Sequence, residues 1–108
     1  MTTEDLIQSF IDAGRHAFTS HTAKRSPEIR KLIRHEKVVI DGHEYNCLQE
    51  LVVVKTAEHI RNILPDCELE VELDGNNSTL NVELTQDEKQ KLTSALYVFL
   101  KENRCIEG

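Results

Sequence analysis

Apolar positions in the first stretch of the chain follow a helix. Leu6, Ile7, Phe10, Ile11, Gly14, Ala17 and Phe18 recur at i, i+3 and i+4, with Asp12, Arg15 and His16 on the opposite side. Thr3 reads as the N-cap, and Glu4 and Asp5 suit the positive end of the helix dipole. Thr19–Lys24 is polar and reads as a loop. Ser26-Pro27 then opens a short second helix, with Ser26 as cap and proline at the first helical position. Ile29, Leu32 and Ile33 give that helix one apolar face.

The pattern changes after Lys37. Lys37–Ile40 reads as a strand, Asp41-Gly42 as a two-residue turn and His43–Leu48 as the returning strand. Leu48–Leu64 has two readings. The β-branched run Val52-Val53-Val54 favours a strand over Leu51–Lys55 and a short helix from Thr56 to Leu64, stopped by Pro65. One continuous helix from Leu48 is the rival, because Leu48, Leu51, Val52, Ile60, Ile63 and Leu64 also fit helical spacing. The strand reading is preferred. A second hairpin is clearer. Leu69, Val71 and Leu73 alternate with Glu68, Glu70 and Glu72, the turn cluster Asp74–Ser78 follows, and Leu80, Val82 and Leu84 return. Thr85 and Glu88 then form a capping box for a last helix reaching about Asn103. Leu92, Ala95, Leu96 and Phe99 form its stripe, and Tyr97, Val98 and Leu100 widen it.

The expected fold is one α+β domain over residues 1–108. A single, mostly antiparallel sheet of four or five strands is built from two hairpins, at about 37–48 and 67–84. Two N-terminal helices and a long C-terminal helix pack on it. The length suits one core and leaves no room for a second. Trp is absent and aromatic residues make up 5% of the chain, so the core is expected to be aliphatic.

Charge adds a second layer. The formal net charge is −6, but the charges are segregated. Between Arg15 and Lys37 seven basic residues face two acids, Glu28 and Glu36. Between Asp66 and Glu88 there are eight acids and no Lys or Arg. No apolar run approaches the ~20 residues that span a bilayer, and the start carries no basic, apolar leader. Cys47, Cys67 and Cys105 are odd in number and widely spaced, which fits reduced thiols in a cytoplasmic protein better than a disulfide framework.

Candidate chemistry is sparse. No Gly-rich phosphate loop, G-x-S-x-G or H-E-x-x-H motif occurs. His43 and Cys47, four apart in an expected strand, and Glu58-His59 are the pairs that could be drawn as acid, base or nucleophile. No His or Cys pair has zinc-site spacing. The expectation is no enzyme, no metal and no cofactor.

Two surfaces remain. Lys24, Arg25, Arg30, Lys31, Arg34 and Lys37 could meet phosphates, with no aromatic interleaved for stacking. Ser26–Arg34 followed by Val38–Gly42 resembles the helix-then-hairpin of the alpha-L RNA-binding module over about a fifth of the chain, which implies nucleic-acid contact through this helix. Glu68, Glu70 and Glu72 would project from one face about 7 Å apart, able to dock a basic partner or to stand as a solvated sheet face. Pro65-Asp66, the two strands, Asn76-Asn77 and Asp87–Gln90 resemble the RecA-modulating DinI family, which implies action by protein contact. That family uses an acidic final helix, whereas here Lys89, Lys91, Lys101 and Arg104 offset the acids, and the activity is not carried over. The expected function is therefore a non-catalytic protein-interaction domain: a small acidic regulator, inhibitor or adaptor, in some settings a homodimer. Glu68, Glu70, Glu72, Tyr97, Val98 and Leu100 are its candidate contact residues. The alternative is a nucleic-acid-binding module using Lys24–Lys37.

Overall fold

A computed structural model describes residues 2–19 and 26–102. The element order is α1 (Thr3–Phe18), α2 (Pro27–Ile33), β1 (Val38–Ile40), β2 (His43–Tyr45), α3 (Leu48–Ile63), β3 (Glu68–Glu72), β4 (Thr79–Glu83) and α4 (Gln86–Glu102). The α+β class and both antiparallel hairpins stand as expected. Each hairpin is its own two-stranded sheet, so the expected single sheet is divided in two. The reason lies in the segment between the hairpins.

That segment, α3, is one continuous helix, and the preferred strand over Leu51–Lys55 is corrected to its rival. Leu51, Val52 and Val53 are 2%, 0% and 0% exposed. Three consecutive buried positions mean that the helix is covered on several sides, and α1, α2, α4 and strands of both hairpins pack on it. A helix apolar all round loses its periodicity in the sequence. The β-branched residues cost a helix only a few tenths of a kcal/mol each, about, far less than their burial returns.

The core is aliphatic and centred on α1, α3 and α4, with Phe10, Leu6, Leu51, Ile60 and Leu92 among its fully buried side chains. Gly14 sits where α1 crosses α3. A Cβ there would stand 3.4 Å from Thr56 Oγ1 and 3.4 Å from Val52 Cγ1. The last helix lies chiefly against α1 and α3, its buried edge formed by Leu92 and Leu96.

Local signals set the ends of the elements. Thr2, one residue earlier than expected, caps α1: its Oγ1 accepts from Asp5 N–H at 3.1 Å, and Asp5 accepts back from Thr2 N–H. Ser26 caps α2 as expected. That helix ends with His35 at φ 61°, while Glu36 N–H donates to Lys31 O at 2.9 Å and His35 N–H to Leu32 O at 3.0 Å. These two bonds are those of a Schellman stop, here without the usual glycine. Asp41 and Gly42, at φ 52° and 80°, form the expected two-residue turn of the first hairpin. Thr85 and Glu88 exchange the two bonds of the capping box before α4. The expected loop at Thr19–Lys24 and Cys105 lie, apart from Thr19, outside the described residues.

Candidate protein-interaction groove

The second hairpin sorts its side chains by strand period. Leu69, Val71, Leu80 and Val82 face the core cluster, and Glu68, Glu70 and Glu72 are exposed on the other face. The register sets Glu68 opposite Glu83, Glu70 opposite Asn81 and Glu72 opposite Thr79. Glu83 therefore joins the acidic row, a member that sequence reasoning had counted only in the overall charge. Its alternation with Val82 and Leu84, together with the hairpin register, was the signal available. Like charges directly opposite destabilise a strand pair, by about 0.2–1 kcal/mol. The three ion pairs among the described residues, Arg34–Glu36, Lys37–Glu44 and Lys55–Glu58, all lie elsewhere.

This hairpin borders a cleft. The cleft, about 580 Å³, lies between the first half of α1 and the second hairpin, and is lined by Glu68, Leu69 and Glu70 of β3 and by all five residues of β4. The apolar lining comes from Ile7, Ile11, Leu69, Leu80 and Val82, of which Ile7, Ile11 and Leu80 are buried. Exposed Glu4, Glu68, Glu70 and Glu83 are among its lining residues, and no Lys, Arg or His lines it among the described residues. Gln49 lies at its margin and is held by a hydrogen bond from the Arg15 guanidinium. Among the described residues, no backbone hydrogen bond from outside the hairpin reaches Thr79–Glu83. Among the described strands β4 therefore pairs with β3 alone.

The turn that ends this hairpin is fastened to the rest of the molecule by a buried acid. Glu50, 4% exposed, stands in the first turn of α3. Its carboxylate accepts from Asn46 N–H at 2.7 Å, from the Asn46 side-chain amide at 3.2 Å and from Gly75 N–H at 3.0 Å. Burial alone would push its pKa up. The backbone bonds from Asn46 and Gly75, the Asn46 side chain and the field of His43 outweigh burial and hold it below the usual carboxylate value. Ser78, also buried, accepts from Asp74 N–H at 2.9 Å and donates to Gly75 O at 2.7 Å. Gly75 itself, at φ 56°, takes the left-handed conformation that this turn needs. Nothing in the sequence pattern singled out Glu50, because an acid in a helix's first turn is ordinary there.

No family profile, curated protein or solved structure matches this chain.

The other sequence candidates fall on separate parts of the fold. Arg30 and Lys31 are exposed on α2, which packs on α3 and β1. Arg34 pairs with Glu36 at 2.8 Å and Lys37 with Glu44 at 3.3 Å. Lys24 and Arg25 lie outside the described residues. Tyr97 and Val98 are 56% and 53% exposed on α4, and Leu100 is half-buried against the core. His43 and Cys47 do not share a strand: His43 lies in β2, its ring 4.4 Å from that of Tyr45, and Cys47 is buried at the start of α3. His59 packs its ring between Phe10 and Phe99, at 5.9 and 5.3 Å. Half-buried Cys67 has its thiol pushed up by burial, with Glu88 adding to the effect. Among the described residues no helix is long and apolar enough to cross a membrane.

Proposed function

We propose that this chain is a non-catalytic protein-interaction domain, a small acidic regulator, inhibitor or adaptor that works through the exposed face and edge of its second hairpin. One observation carries the reading. Glu4, Glu68, Glu70 and Glu83 line a cleft beside the second hairpin, whose outer edges pair with no further strand among the described residues, and no cation stands among the cleft's described lining residues. A protein that gained nothing from this arrangement would do better with lysines on such an edge, which block unwanted pairing and relieve the repulsion between Glu68 and Glu83. Tyr97 and Val98 on α4 offer a second contact point on the same small molecule, including for a second copy of the chain.

The experiment is affinity capture from the native host, with and without nuclease, using the wild-type chain and the double variant Glu70→Lys/Glu72→Lys. Both substituted side chains are exposed, so the fold is kept, which a urea unfolding curve checks. The wild type should retain a protein partner through nuclease treatment, and the variant should lose it. A partner kept by the variant, or turnover of a substrate by the purified chain, sinks the proposal. A complex that disappears with nuclease transfers the function to Arg30, Lys31 and their neighbours. In that case a gel shift at low salt should vanish on charge reversal at Arg30 and Arg34.

A further inference from the structure

We infer that Asp41-Gly42, the turn of the first hairpin, is a site of spontaneous covalent modification: Asp41 converts to isoaspartate through a cyclic imide, while the same dipeptide at Asp74-Gly75 is held unreactive by Glu50. The inference is independent of the protein-interaction reading. The chemistry needs only the chain and water. The backbone nitrogen of Gly42 attacks Cγ of the protonated Asp41 carboxyl, the N–H proton and the carboxyl's hydroxyl leave as water, and a five-membered imide closes. Water then adds to one of its two carbonyls. Opening at the side-chain carbonyl restores aspartate. Opening at the main-chain carbonyl leaves the backbone running through Cγ beside a free α-carboxylate. Nothing is oxidised or reduced, and the mass returns to its starting value. Glycine suits the attacking position because it has no side chain to crowd the nitrogen.

Both Asp-Gly pairs of the chain sit in hairpin turns, and they differ in what holds the attacking amide. In the first turn Asp41 and Gly42 are exposed, and a Cβ placed on Gly42 would meet nothing within 4 Å. Among the described residues Gly42 N–H makes no hydrogen bond, and the Asp41 carboxylate makes neither a hydrogen bond nor an ion pair. Asp41 holds a left-handed backbone, at φ 52°, which a side chain resists and which release of the turn relieves. The flanking strands are three residues each, and a lone hairpin of that size opens readily. In the second turn every attacking amide is engaged. Gly75 N–H donates to the buried Glu50 carboxylate at 3.0 Å, and Asp74 N–H to Ser78 Oγ at 2.9 Å. Asn76 and Asn77 cyclise by the same route with loss of ammonia, and their attacking amides are held too: Asn77 N–H by Asp74 O at 2.9 Å and Ser78 N–H by Gly75 O at 3.3 Å. A nitrogen so held must break its bond before it can turn on the neighbouring carboxyl or amide carbon. Isoaspartate adds a backbone atom to a two-residue turn, which then no longer closes Ile40 on His43.

The test keeps the full chain in warm, mildly acidic buffer and follows its peptides by liquid chromatography and mass spectrometry. Isoaspartate appears as a second peak of unchanged mass that an isoaspartyl methyltransferase labels. In the folded chain Asp41 should convert roughly tenfold faster than Asp74, the ratio by which its turn opens more often. In concentrated urea the two sites should convert at nearly the same rate, because each is followed by glycine. Glu50→Gln should raise the ratio of Asp74 to Asp41 conversion roughly threefold, since Gly75 N–H loses its carboxylate acceptor. The ratio cancels any general loss of stability, and Glu50→Asp, one methylene too short to keep the contact, replaces the Gln variant if that one does not fold. Asp41→Ser should remove the early second peak. Equal conversion of the two sites in the folded chain, faster conversion at Asp74, or an Asp41 that reacts only in urea overturns the inference. A ratio left unchanged by substitution of Glu50 overturns its protective role.

Discussion

Glu50 joins two parts of the fold with one carboxylate. It holds Asn46, the residue before the N-cap of α3, and reaches 25 residues along the chain to the turn at Gly75. Each bond is made to the ionised form, and such bonds carry roughly twice the strength of neutral ones. Glu50→Gln keeps the shape but sets an amide donor against donors. It should cost about 2 kcal/mol at neutral pH, read from urea unfolding. The sign of the pH dependence follows from the depressed pKa. A carboxyl whose folded pKa lies below its unfolded one adds stability that is fully present above the unfolded value and is lost as the pH falls through the folded value. For Glu50 that loss begins as the pH drops below the ordinary 4.5. Unfolding curves of the wild type and the Gln variant should therefore converge on acidification. Curves that stay parallel to the lowest pH at which the chain folds would deny Glu50 this role. Sequence alone gave no access to such a contact, because it depends on a tertiary approach between two turns.

Elements were legible wherever one face is wet. The alternation of Glu68–Glu72 with its apolar partners, the cap and proline of α2, and the capping box of α4 each predicted what is observed. The failure came at α3, where the run Leu51–Val54 carries no polar position and left β-branched residues as the loudest signal, although Lys55, Glu58 and Asn62 mark the helix's polar side further on. The crossing of α1 and α3 explains a residue that the apolar pattern had merely included. Gly14 gives the two helices their close approach beside Val52 and Thr56. Gly14→Leu overfills that crossing and should destabilise by about 1–3 kcal/mol in urea unfolding. Gly14→Ala, whose methyl only reaches ordinary contact, should stay close to wild type. If the leucine variant unfolds at the wild-type midpoint, the crossing is looser than the packing implies.

At the scale of the molecule, α3 is the common support and the hairpins are clients of the helices. The β1–β2 sheet has three residues per strand, with Val39 64% exposed, and a lone two-stranded sheet is marginal in water. Its amides should exchange through local opening, roughly a hundredfold faster than those of Leu51–Val53, which need a larger opening. Equal rates in a hydrogen-exchange experiment would mean that hairpin and helix open as one unit. The candidate site was half legible in the sequence. The acidic row of Glu68, Glu70 and Glu72 followed from strand period, while the cleft and the roles of Glu4 and Glu83 required the register and the placement of α1. The strand period also interleaves two kinds of constraint along the second hairpin. At Leu69, Val71, Leu80 and Val82 a chain that drifts in sequence must keep its core. At Glu68, Glu70, Asn81 and Glu83, one step away, the side chains are exposed and the fold asks far less of them. The same ten residues thus carry two unequal tolerances to substitution, narrow on the core face and wide on the outer one.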